Sequence, residues 1–79
     1  MAWRVVELGD RRWNVFVAAE RRANSPAWSL VFSFRSVGER RPSLWAAYPI
    51  SSASKAALFA QAERLSDDTL TALLAEHLK

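Results

Sequence analysis

From residue 28 to residue 35 the chain alternates. Trp28, Leu30, Phe32 and Phe34 take every second position, while Ser29, Ser33 and Arg35 fill the places between, with Val31 among them. Successive side chains of an extended backbone leave opposite faces, so the spacing predicts a half-buried β-strand. Trp13, Val15, Val17 and Ala19 form a second stripe, opposed by Arg12, Asn14, Phe16, Ala18 and Glu20. Residues 3–8 and 44–48 read as shorter strands with less regular alternation. Turn chemistry separates the four runs. Gly9-Asp10 supplies a residue that tolerates positive φ, and Asn24-Ser25-Pro26 carries a proline that cannot donate to a ladder. Gly38 precedes Glu39, Arg40 and Arg41, and Pro42 leads into the fourth run. Three short connections between four strands predict an antiparallel meander.

After Pro49 the period lengthens. Ser51, Ser52 and Ser54 are candidate helix caps, and residues 53–65 are rich in Ala and Leu. Leu58, Phe59, Ala62 and Leu65 recur at helical spacing. Ser66-Asp67-Asp68 reads as a fresh helix start, because the hydroxyl can cap and the two acids suit the positive dipole end. Leu70, Leu73, Leu74 and Leu78 line the following face. Two helices broken near Ser66 are favoured over one long bent helix. The expected architecture is a single α+β domain over residues 1–79. Its sheet occupies residues 1–49 and its helical part residues 50–79, with the helices packed on one sheet face.

Composition limits the chemistry. The 79 residues are 51% hydrophobic and 11% aromatic, which is enough apolar content to drive collapse of one small domain. The net charge is +3, divided unevenly: residues 1–49 hold eight Arg against four acids, whereas residues 50–79 carry an excess of one acid. A basic front half favours anionic or acidic partners. There is no Cys and a single His, so neither a thiolate site nor a paired-imidazole metal site can be assembled. His77 near the C-terminus reads as a solvated histidine at a helix end. Two glycines cannot build a phosphate-cradling loop, and no Gly-x-Ser-x-Gly elbow occurs. We therefore expect no catalysis, no cofactor, no metal and no small-molecule substrate. No stretch approaches the ~20 apolar residues that cross a bilayer, and Glu7 interrupts any leader-like run. The expected compartment is the cytoplasm, including the cytoplasmic face of a membrane complex.

What remains is surface. Three arginine doublets occur, at 11–12, 21–22 and 40–41. In a meander the first and third turns share one end of the sheet, which would gather Arg11, Arg12, Arg40 and Arg41 there. Neighbouring strand residues diverge, so each doublet should send one guanidinium to each face. If the third strand's aromatic stripe meets the helices, then Phe16, Val31 and Trp45 face outward with Arg12, Asn14 and Arg35. Arg11, Arg12, Phe16, Arg35, Arg40, Arg41 and Trp45 are thus the candidate partner-binding residues. Arginine and exposed aromatics suit a protein hot spot or stacked bases.

The order Trp3-Arg4-Val5, Arg12-Trp13-Asn14-Val15, Glu39-Arg40-Arg41 and Leu65-Ser66-Asp67-Asp68-Thr69-Leu70 resembles short bacterial proteins reading W-R-V, W-x-V, E-R-R and L-S-D-x-x-L. That family carries no assigned activity, and this chain departs from it by extra residues between Tyr48 and Leu65. The resemblance implies that Arg40-Arg41 and the final helix start belong to the fold. Because some such proteins come from lineages with phototrophs, it also implies an accessory subunit of a photosynthetic or other membrane complex. Four strands followed by helix are, in topology alone, similar to Whirly-type single-stranded DNA binders. The expected function is accordingly a non-catalytic interaction module, a small subunit docking on a larger assembly or on its own copies. The alternative is single-stranded nucleic-acid binding, and peripheral contact with an anionic membrane is a further partner class.

Overall fold

A computed structural model describes residues 2–21, 23–38, 40 and 42–78. Four strands, β1 (Arg4–Leu8), β2 (Arg11–Arg21), β3 (Trp28–Ser36) and β4 (Leu44–Ser52), precede two helices, α1 (Lys55–Glu63) and α2 (Asp67–His77). The strands lie in the order β1-β2-β3-β4, each antiparallel to the next. The α+β meander expected from the periodicity is the fold observed. At the β1–β2 turn Leu8 faces Arg11, leaving two central residues, and Gly9 takes φ of +62°. A side chain with Cβ disfavours that region, which is why the chain carries glycine there.

Alternation decides which side of the sheet is covered. Leu30, Phe32 and Phe34 of β3 are fully buried, and Val6, Trp13, Val15 and Ala46 point to the same side. Leu58 and Ala62 of α1, with Leu70 and Leu74 of α2, close over them in one cluster. Phe32 is the hub of this layer. Its ring stacks on Trp3 at 5.8 Å between centroids, meets Tyr48 edge-on at 6.1 Å, and lies 6.4 Å from Phe34. Full burial of each such side chain stabilises by about 1.5–3 kcal/mol, so this stripe supplies the largest share of the folding energy.

The helices begin where hydroxyl caps stand. Ser54 Oγ accepts from the Ala57 amide at 3.2 Å, and Ser66 Oγ accepts from the Thr69 amide at 3.1 Å. Each satisfies one of the orphan donors of a first turn. The break near Ser66 gives two helices, as expected. Their boundaries differ from the expectation in three respects. β4 continues through Pro49 to Ser52, so the cap of α1 is Ser54 and not Ser51 or Ser52. The register changes from Leu30 opposite Tyr48 to Ser29 opposite Ser51, so Pro49 and Ile50 are extra residues in an edge strand, where proline costs no ladder bond. Two extra residues also preserve the inside–outside parity that one would invert. Lastly Leu78, expected on the buried face of the last helix, is 48% exposed beyond the end of α2.

The corner between the helices is held by the first strand. Arg4 donates to the carbonyl oxygens of Leu65 and, at 3.3 Å, Glu63, and its guanidinium lies 3.4 Å from the Asp67 carboxylate. Carbonyls at a helix C-terminus lack intrahelical donors, and the arginine fork supplies them. Trp3 Nε1 donates to Glu63 Oε1 at 2.9 Å, while the Arg4 guanidinium sits 4.2 Å from the Trp3 ring centroid. Trp3 and Arg4 therefore fasten β1 to the junction of α1 and α2.

Three stability measurements follow from this packing. In urea titrations Phe32→Ala should cost about 3–5 kcal/mol, because it empties the centre of the aromatic cluster. Arg4→Met should cost about 1–3 kcal/mol through the two stranded carbonyls. By contrast, Trp13→Phe should cost less than either. The Trp13 indole N–H is buried without a hydrogen-bond partner among the described residues, so its removal offsets part of the lost volume.

Candidate functional site

Among the described residues no helix packs on the second face of the sheet, and the strand register lays its residues out in rows. Across the middle run Phe16, Ser33 and Trp45, on β2, β3 and β4. The next row toward the β2–β3 turn is Ala18, Val31 and Ala47, and beyond it lie Glu20, Ser29 and Ser51. In the other direction come Val5, Asn14 and Arg35, then Glu7 and Arg12. Trp45 is 63% exposed and Phe16 36%, whereas Ser33 between them is 5% exposed and Val31 9%. A serine flanked by two aromatics makes a trough, with the flanking Cα atoms about 9.6 Å apart across two strand spacings. In the neighbouring row Val31 also lies low, between the two alanines, and with Ala18, Ala19, Glu20 and Trp45 it lines a hollow.

The charges on this face balance among the described residues. Arg12 Nε lies 3.3 Å from Glu7 Oε1 across the β1–β2 hairpin. Arg35 forms no hydrogen bond or ion pair with any described residue, and Glu20 lies on β2 near the far end of the face, three rows away. Around this face, then, the structure gathers Arg12, Phe16, Arg35 and Trp45 of the candidate residues. Arg11 leaves toward the side that the helices cover, in register with Leu8, so the first doublet is split between the faces as alternation requires. The Val37 amide donates to the Arg12 carbonyl at 3.0 Å, which sets the start of the β3–β4 connection beside Arg12. Arg40 is exposed in that connection. Arg41, like Arg22 of the middle doublet, lies outside the described residues.

At the opposite end Arg21 is engaged internally. Its Nε donates to the Ser25 carbonyl at 3.1 Å, and its guanidinium lies 5.8 Å from the Trp28 ring, whose centroid is also 4.7 Å from Lys55 Nζ. Among the described residues no group of three or more His, Asp or Glu side chains is placed to hold a metal ion. His77 is exposed, with Nδ1 3.0 Å from the Leu73 carbonyl. No helix among the described residues is long and apolar enough to cross a membrane.

Two features of the site escaped sequence reasoning. The Glu7–Arg12 pair was readable from the Gly9-Asp10 turn, because a two-residue hairpin puts those positions opposite each other. The side-by-side placement of Phe16, Ser33 and Trp45 required the full register of three strands. Comparison of the chain with protein-family models, with curated proteins and with solved structures finds no match.

Fluorescence separates the four tryptophans according to this geometry. Acrylamide should quench the wild-type chain through one dominant accessible component, and Trp45→Phe should remove it. The same substitution should change stability by less than about 1 kcal/mol, since an exposed side chain makes few contacts to lose.

Proposed function

We propose that this protein is a non-catalytic interaction module, a small subunit that docks on a larger assembly or on its own copies through the uncovered sheet face. The observation that carries the reading is the row Phe16–Ser33–Trp45, with its tryptophan 63% exposed on a face that the chain itself leaves open. Tryptophan is enriched among the residues that dominate binding energy, because it removes a large apolar area from water with little rotamer entropy. An antiparallel sheet packed on one side only presents such a surface without cost to its own core.

Charge favours a protein partner over a polyanion. Nucleic-acid affinity comes largely from cations that displace condensed counterions, and these must be free to do so. On this face Arg12 is neutralised by Glu7, and Arg35 is matched in number by Glu20. Of the other described arginines, Arg21 and Arg40 lie at the sheet ends, and Arg21 is already bonded to Ser25.

A comparison of two chains tests the reading. In extract of the source cells the wild-type chain should migrate at the mass of an assembly, and the Phe16→Ser/Trp45→Ser variant should migrate as a free, folded chain. Co-migration that ignores these substitutions would place the contact elsewhere. Titration with oligo(dT) at low salt should leave the Trp45 emission unchanged. Quenching that falls steeply with salt would instead assign the face to single-stranded nucleic acid.

A further inference from the structure

We propose that the occupant of the uncovered face is a second copy of this chain, packed sheet against sheet about a two-fold axis that runs across the strands. This rests on the docking reading above and names its partner. The axis lies between the row Phe16–Ser33–Trp45 and the row Ala18–Val31–Ala47. Such a rotation returns every strand to its own counterpart with its direction reversed, so each row meets the other row of the partner. Phe16 then stands over Ala18 of the second copy, in the hollow beside its Val31, and Trp45 stands over its Ala47.

Large meets small at both positions, and does so twice, because the symmetry repeats the contact. The relief printed in the register is therefore self-complementary, which a two-fold interface demands of a single surface. Packing at interior density depends on that interdigitation, since two like rows facing each other would leave Trp45 against Trp45 and a void over Ser33.

Charge selects the same axis. One step outward the row containing Asn14 and Arg35 lies over the partner's row containing Glu20 and Ser29. The Arg35 fork reaches the partner's Glu20 across one strand spacing, and the Asn14 amide lies directly over that carboxylate. An axis parallel to the strands would instead keep like ends together and set Arg35 near Arg35. Three strands at about 4.8 Å and four rows at about 6.6 Å present roughly 380 Å² per copy. The total of about 760 Å² is the size of a weak, transient dimer.

Within one chain Glu20 and Arg35 are three rows apart, or about 20 Å, too far to interact. That separation makes charge reversal diagnostic. Sedimentation equilibrium of the full chain from about 1 to about 100 µM should show a monomer–dimer equilibrium. Glu20→Arg and Arg35→Glu should each weaken it roughly tenfold or more. The Glu20→Arg/Arg35→Glu double variant should recover most of the loss, and Ala47→Trp should abolish the dimer by filling the hole that Trp45 requires. Circular dichroism should show each variant folded, as expected for substitutions at exposed sites. A dimer indifferent to both reversals overturns the proposal, as does a chain monomeric throughout. In the monomeric case, migration with an assembly that depends on Phe16 and Trp45 leaves the docking reading standing, and its absence removes that reading too.

Discussion

Everything in this molecule depends on covering one side of β3. Leu30, Phe32 and Phe34 reach zero exposure only because α1 and α2 lie over them, and a meander of four strands has no second sheet with which to hide that stripe. Two helices of nine and eleven residues are enough for one layer and not for two. Among the described residues the reverse side of the sheet carries no helix.

The helical layer would slide without a fixed corner. Trp3 and Arg4 provide it from the first strand, through the Glu63 carboxylate, the carbonyls of Glu63 and Leu65, and the Asp67 carboxylate. One arginine thus ends α1, contacts the first turn of α2 and anchors the chain's beginning to its end. The same Trp3 ring stacks on Phe32, so the corner and the core are a single packing unit. Arg4 meets Leu65 and Asp67 across 61 and 63 residues of sequence, so the corner joins segments far apart in the chain.

On the reverse side the small residues matter as much as the aromatic ones. Phe16 and Trp45 would be two isolated apolar side chains if Ser33 were larger, and a flat patch if Ala18 and Ala47 were. The recessed Ser33 and Val31 between exposed Phe16 and Trp45 give the face a shape, and the opposed positions of Arg35 and Glu20 give it a direction. Shape and direction are what distinguish a specific surface from a merely greasy one.

Most of the architecture was legible in the amino-acid order. Period-two stripes at Trp13–Val17 and Trp28–Phe34, the Gly9 turn and the serine caps are local signals, written within a few residues of the structures they specify. Local signals also misplaced some boundaries. Pro49 looked like the end of the sheet, yet β4 absorbs it in a two-residue irregularity, because an edge strand needs no amide at that position. By itself the sequence determined four strands, two capped helices and the set of side chains on each face, since backbone periodicity alone sorts them. Only the tertiary structure decided which face the helices cover, which residues stand side by side across strands, and where Arg4 goes. Those outcomes depend on pairing between segments distant in the chain, and no local periodicity encodes a distance between strands.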